Sequence, residues 1–349
     1  MSSIDIHTHG IGGYDTRAAN PEDILKIAAI HGSFGVTEII PTIYSAPINV
    51  MRKNMTAVKE AMELQKKASS VERGAGRHSS GYADDQPVTS NANGQGLISL
   101  TLKTQHSTLP SLILGVHLEG PFLNPSLCGA LDPSSFLKPD KRAFIELIDG
   151  LEDIIRIITI APELGGALDI IKNARDTGIN MSMGHSDATF AEAEAGYQKG
   201  AQGITHLFNA MRGLHHREPG IAGFGLLNKD VYAEVIADPY HLHPDVLKLI
   251  FRTKNPNKII IISDTTKDSY GIARENTEVR RQGSRARRQK LRIHNSEFII
   301  NPPPRTGILR GGSSTIIESS NRLIKMGYNE KKIMDCIDKN PASYLRAVS

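Results

Sequence analysis

Short apolar runs, each closing on a polar residue, alternate along the chain with longer stretches in which apolar positions recur at helical spacing. Runs of the first kind suit strands buried in a parallel sheet, and the stretches between them supply the crossovers, so the pattern is a βαβ rhythm. It predicts strands over 3–9, 37–42, 111–119, 154–160, 180–185, 203–206, 232–237 and 258–264. Helices are expected over 21–31, 48–67, 140–150, 165–177, 188–200, 244–253, 313–326 and 330–339.

Two segments break the rhythm. Residues 69–110 are rich in Ser, Gly, Gln and Asn and carry little periodicity, which suits a long irregular insertion. Residues 268–305 are rich in Arg and contain the run Pro302-Pro303-Pro304. That segment reads as a solvated loop or as a nucleic-acid-binding arm. No aromatic residue interleaves with the arginines of 274–292, so the loop is favoured and nucleic acid is not expected as a partner. No internal repeat is found.

At 349 residues the chain can hold one large domain of α/β-barrel size, so a single domain is expected over 1–349 with insertions at 69–110 and 268–305. Hydrophobic residues make up 39% and charged residues 22%, near globular values, which argues against wholesale disorder. No apolar run approaches the roughly 20 residues needed to span a bilayer. The opening MSSIDIHTHG lacks the basic and apolar regions of a signal peptide, so a cytoplasmic protein without a membrane partner is expected. The two cysteines, Cys128 and Cys336, offer neither a disulfide framework nor a Cys-rich zinc knuckle. The net charge of +4 owes much to residues 274–292 and says little about the barrel surface.

The chemistry lies in the histidines and acids that end the strands. Residues two apart in a strand share a face, so His7 and His9 point one way while Ile4 and Ile6 point the other. Gly10, Gly12 and Gly13 follow at once and mark a turn at the strand's C-terminal end, where a (β/α)8 barrel gathers reactive groups. A pair of surface imidazoles is the bland alternative. Glu119, in His117-Leu118-Glu119-Gly120-Pro121, is a natural oxygen ligand at the end of another apolar strand, although a loop salt bridge would need the same residue. His185 and His206 each end a strand, and the helix between them makes one βαβ unit presenting two imidazoles. Ser186 and Asp187 are read as N-cap residues of that helix. Asp264 ends the strand Ile259-Ile260-Ile261-Ile262 and could be a metal ligand, a general base or a cap; beside a metal-bound water the base role is the most useful. Each residue alone admits a structural role. Together, six side chains ending five separate strands imply a hydrolytic metal site.

The segments DIHTHGIGG, HLEGPFLNP, MGHSDAT, THLFNAM followed by REPG, IADPYHLHP and SDTT, in this order, resemble the N-acetylglucosamine-6-phosphate deacetylases of the amidohydrolase superfamily. The likeness covers most of 1–67 and 111–267. It implies a (β/α)8 TIM-type barrel that removes the acetyl group of N-acetylglucosamine 6-phosphate in amino-sugar catabolism. It further implies metal ligation by Glu119, His185 and His206, a second metal through His7 and His9, and thus one or two Zn or Fe ions. Asp264 maps to the essential aspartate. Asn209, the Ala210 backbone, Arg217 and His241 are implied to hold the phosphosugar, with His241 reaching from a neighbouring subunit of a homodimer. Ala130, Leu309 and Gly311 fall at further substrate-binding positions, and His117 at one that orients Glu119 or a ligand imidazole. A guanidinium at Arg217 suits phosphate because it donates two parallel hydrogen bonds.

The chain also departs from the family. Gly129-Ala130-Leu131 stands where His or Gln contacts the acetyl oxygen. Asp238-Pro239 replaces Asp-Gly, and Pro fixes φ and removes a donor, so a different loop geometry is expected there. Residues 268–305 are unlike the family, and the likeness resumes only around 309–315. The small β-sandwich that family members build from both termini is expected to be missing. Alternative readings are another amidohydrolase, such as a cyclic-amide hydrolase or deaminase, and a remnant that binds metal or sugar phosphate without turnover.

Overall fold

The computed structural model describes residues 2–75, 109–272, 289–293, 296–300 and 309–347. Eight parallel strands among them follow one another in space in chain order: β1 (Ile4–Thr8), β2 (Glu38–Tyr44), β3 (Val116–Glu119), β4 (Ile155–Ile160), β5 (Asn180–Met183), β6 (Gly203–Ile204), β7 (Tyr232–Ile236) and β8 (Ile259–Ile262). The ring is nearly closed where β8 returns to β1. There the Asp264 N–H donates to the His7 carbonyl at 2.8 Å and the His9 N–H to the Thr265 carbonyl at 2.7 Å. The outer layer is α1 (Pro21–Ser33), α2 (Ile48–Ala75), α3 (Lys141–Ile148), α4 (Ala167–Asp176), α5 (Phe190–Lys199), α6 (Gly220–Leu227), α7 (Pro244–Thr253) and α8 (Ile316–Lys325), followed by α9 (Glu330–Asp335) and α10 (Lys339–Leu345). The described residues are a (β/α)8 barrel, as the βαβ rhythm and the family likeness imply.

The period of two in each strand divides the core into two layers. Ile259 and Ile261 join the large cluster under the helices, while Ile260 and Ile262 pack inside the barrel with Ile157, Tyr232 and Tyr344. Each such fully buried side chain contributes about 1.5–3 kcal/mol relative to exposure. Above the inner apolar layer the inward positions turn polar, and at the C-terminal mouth they become His, Glu and Asp.

β1 does not keep a simple alternation. Its pairing with β2 slips between Asp5 and Thr8, a β-bulge. Ile4 and Ile6 pack with the inner cluster, yet His7 and His9 also face the barrel centre. The expectation that the isoleucines point away from the histidines is therefore corrected: the extra residue re-phases the strand, as bulges beside functional sites do. Directly after it, Gly10–Ile11 and Tyr14–Asp15 form a hairpin turned at Gly12 (φ 60°) and Gly13 (φ 94°), values that favour glycine.

Other boundaries differ for local reasons. The strand read over 111–119 is interrupted, with Leu112–Ile113 pairing β2 ahead of β3. The break is at Gly115, where φ is 147° and a Cβ would collide with the Ile154 carbonyl oxygen. The cap of α5 is Thr189, in a reciprocal capping box with Glu192, rather than Ser186 or Asp187. Ser186 instead donates to Glu163 at 2.6 Å, and Asp187 pairs with Arg212 at 2.9 Å. Residues 69–75 continue α2, and Gly271–Ile272, Gln289–Ile293 and Ser296–Ile300 pair as antiparallel strands within the segment read as irregular. The rest of both segments, 76–108, 273–288, 294–295 and 301–308, lies outside the described residues. Among the described residues no helix is long and apolar enough to cross a membrane.

Candidate metal centre and substrate pocket

Three of the expected side chains sit on left-handed backbone just past their strands: His185 after β5 (φ 48°), His206 after β6 (φ 32°) and Asp264 after β8 (φ 50°). That conformation costs a non-glycine residue about 1–3 kcal/mol and is kept where neighbours over-determine it. Here it turns each side chain over the barrel mouth instead of along the wall.

The structure brings His7, His9, Glu119, His185, His206 and Asp264 into one buried cluster. Glu119 Oε1 lies 3.1 Å from His185 Nε2, 3.2 Å from His206 Nε2 and 3.5 Å from His7 Nε2. Its other oxygen lies 3.1 Å from His9 Nε2. Asp264 Oδ1 is 3.5 Å from His7 Nε2 and 3.6 Å from His9 Nε2. Glu119 thus stands between two donor groups, His185 with His206 on one side and His7 with His9 and Asp264 on the other.

Hydrogen bonds on the far side of the rings set which nitrogen carries the proton. His185 Nδ1 donates to the Leu127 carbonyl at 2.9 Å and His206 Nδ1 to the Asn209 carbonyl at 3.1 Å, and a carbonyl can only accept. In their neutral forms both rings present Nε2 lone pairs to the centre, 3.1 Å apart, against a carboxylate oxygen. Three acceptors facing one another without a hydrogen between them fit a shared cation. Two imidazoles and one carboxylate are a donor set suited to Zn²⁺ or Fe²⁺, and with three protein ligands a coordination position stays open.

The charges agree with that fit. Burial alone would raise the Glu119 carboxyl, but the surrounding imidazoles of His9, His185 and His206 hold it well below the usual carboxylate range. Burial would depress His7, yet hydrogen bonds to Glu119 and Glu234 and the charge of Asp264 carry it well above an ordinary imidazole. The acids that raise His7 are those that would favour a divalent ion beside it. Burial and the charge of His7 push His117 well down. His117 hydrogen-bonds the Ile6 carbonyl at 3.0 Å and the Thr159 hydroxyl at 2.8 Å. Its ring meets His7 edge-on, 4.6 Å between centroids, so it supports that ligand by packing rather than by a hydrogen bond to Glu119.

Over the cluster opens a pocket of about 230 Å³. Of the expected substrate residues, Ala130, Asn209, Ala210, His241, Leu309 and Gly311 line it. His241 does so from its own chain, which corrects the expectation that it enters from a neighbouring subunit. Its place is set by Asp238, whose Oδ2 takes His241 Nδ1 at 3.0 Å, the Ser313 N–H at 2.9 Å and the Ser313 hydroxyl at 3.1 Å. Asp238 Oδ1 takes the N–H groups of Tyr240 and His241. Pro239 removes none of the donors this loop uses. Burial would raise Asp238, but His241 and the Ser313 N–H hold it far below the usual range, and Asp238 in turn lifts His241 against its own burial. Arg217 is exposed and does not line the pocket of its own chain.

Four contributors were not singled out in the sequence. Tyr44 stacks on His9 with ring centroids 3.8 Å apart, while the Arg17 guanidinium lies 4.5 Å from the Tyr44 ring centroid. Arg310 is the one Lys or Arg among the lining residues, flanked by the expected Leu309 and Gly311. Glu234, on β7, is fully buried beneath His7. Its signal was present, a lone acid inside the apolar run Tyr232-Ala233-Glu234-Val235-Ile236.

A parallel barrel with a His-x-His pair ending its first strand, Glu on the third, His after the fifth and sixth and Asp after the eighth is the arrangement that the resemblance to the amidohydrolases implies. No family model matches the chain. The N-acetylgalactosamine-6-phosphate deacetylase of Escherichia coli O157:H7 is 30% identical over 261 residues, 75% of this chain and 58% of that protein. The N-acetylglucosamine-6-phosphate deacetylase of Bacillus subtilis is 40% identical over 162 residues, 46% of this chain and 41% of that protein. The chain thus spans about half the length of the curated relatives it matches. The Thermotoga maritima N-acetylglucosamine-6-phosphate deacetylase structure has the same fold, with a TM-score of 0.71 at 24% identity over 99% of this chain and 78% of that one. A Mycobacterium smegmatis counterpart, also at TM-score 0.71, was solved with N-acetyl-D-glucosamine-6-phosphate bound. The chain is a relative of the N-acetylglucosamine-6-phosphate deacetylases.

Proposed function

We propose that the chain hydrolyses the acetamide of N-acetylglucosamine 6-phosphate to acetate and glucosamine 6-phosphate, a step of amino-sugar catabolism. The observation that carries this reading is the position of Asp264: its carboxylate borders both the donor cluster and the open pocket, where a substrate carbonyl and a water can meet it. A divalent ion, Zn or Fe, held by Glu119, His185 and His206 would polarise the amide carbonyl and lower the pKa of the attacking water towards about 7. His7 and His9 with Asp264 are donors for a second ion, giving one or two per subunit. Asp264 takes the proton of the water and returns it to the departing amine nitrogen. Asn209 and the Ala210 backbone, which line the pocket, are the proposed contacts to the sugar, with Ala130, Leu309 and Gly311 as walls.

The phosphate calls for cationic donors. His241 and Arg310 supply them from within the pocket. Arg217, exposed and outside the pocket of its own chain, is proposed to serve the pocket of a second chain in a homodimer. The test is acetate release from N-acetylglucosamine 6-phosphate and its galactosamine epimer, beside unphosphorylated N-acetylglucosamine. Turnover of the phosphorylated sugars alone is expected. Equal turnover without phosphate points to a different amidohydrolase, and no acetate from any of them defeats the reading.

A further inference from the structure

Beneath the donor cluster lies a polar layer that the proposed chemistry leaves unexplained. Glu234 is fully buried at its centre, and among the described residues no Lys or Arg pairs with it. Its Oε2 faces His7 Nδ1 at 3.3 Å, and its Oε1 accepts the Ser182 hydroxyl at 3.3 Å. Ser182 in turn accepts from Thr205 at 2.7 Å, and Thr205 lies 2.9 Å from Thr159. A fully buried carboxylate is costly unless positive charge and hydrogen bonds compensate it. Here the imidazole of His7 is what stands between Glu234 and the metal cluster.

By accepting the Nδ1 proton of His7, Glu234 turns the ring so that Nε2 is the nitrogen a cation would bind in place of a proton, aimed at His9 Nε2 at 3.3 Å and at Asp264. His9 has no such support, because its buried Nδ1 lacks a hydrogen-bond partner. The orientation of this half of the cluster therefore rests on one ligand. We infer that Glu234 is the positioning residue of a second cation site formed by His7, His9 and Asp264, acting through His7. The inference rests on reading the cluster as a metal centre. It adds that the two halves are separable, since His185 and His206 are oriented by backbone carbonyls and do not touch Glu234.

The test is titration of the chelator-stripped, full-length protein with Zn²⁺ by calorimetry, repeated with Co²⁺ by its visible absorption, for wild type, E234Q and E234A. Two binding steps are expected in wild type. Removing a carboxylate behind a ligating histidine typically weakens binding about 10–100-fold, so E234A should lose that much in one step and keep the other. E234Q retains an acceptor for His7 Nδ1 and should lie between the two. Folding is checked by circular dichroism, and if E234A does not fold, E234Q alone decides through selective weakening of one step. Unchanged affinities at both steps in the folded variants overturn the role of Glu234. A single step in wild type overturns the second site while leaving the first intact, and no binding in wild type removes the metal reading itself.

Discussion

Glu119 offers one carboxylate oxygen to His185 at 3.1 Å and the other to His9 at 3.1 Å. One side chain on the third strand thus joins the donors of the fifth and sixth strands to those of the first. Replacing it with Gln removes the charge from both halves of the cluster at once. We expect Glu119→Gln to fall to background metal content by elemental analysis. It should also lose the thermal stabilisation that Zn²⁺ confers on the stripped wild type, about 4 kcal/mol at a thousandfold excess over Kd. Retention of wild-type metal would remove Glu119 from the centre.

Asp264 contacts the cluster only through the longer approaches to His7 and His9, and its carboxylate faces the pocket. Asp264→Asn is therefore expected to keep the ion held by Glu119, His185 and His206 while kcat falls about 10²- to 10⁴-fold, the usual range for loss of a general acid–base. Metal analysis and acetate release on the same preparation check this. A variant with normal turnover would show that the proton goes elsewhere.

Arg310 reaches the pocket without a partner of its own among the described residues. A hydrogen bond to a charged group contributes about 1.5–3 kcal/mol, so Arg310→Gln should raise KM for the phosphorylated sugar at least about tenfold. Steady-state kinetics should show kcat nearly unchanged, because the guanidinium holds a group remote from the amide. An unchanged KM would leave the phosphate to His241 and a neighbouring chain.

The Asp238–His241 pair predicts a pH window. Asp238 is held below its ordinary value of 3.8 and His241 above its ordinary 6.5. The aspartate's contribution is present above 3.8 and lost as pH falls through its lower folded value; the histidine's is full below 6.5 and lost as pH rises through its higher folded value. The stability gap between wild type and Asp238→Asn should therefore be wider at about pH 5.5 than at about pH 9 in denaturant titrations. A gap that widens with pH would contradict the pairing.

Much of this molecule is written locally. The alternation of Ile259 and Ile261 with Ile260 and Ile262, the βαβ order and the His, Glu and Asp residues that end the strands depend on neighbours a few positions away, which periodicity can report. The bulge in β1 is of another kind, because strand phase there depends on register against β2, more than thirty residues further along. The same holds for Glu234, whose inward position matters only because closure of the ring brings β7 under the end of β1. Arg217 looked the better phosphate ligand from its motif, yet Arg310 is the arginine that lines the pocket, and His241 belongs to its own chain's pocket. By itself the sequence determined which histidines and acids end which strands. Which of them meet, and from which side, only the tertiary structure decided, because those distances follow from barrel closure and not from chain separation.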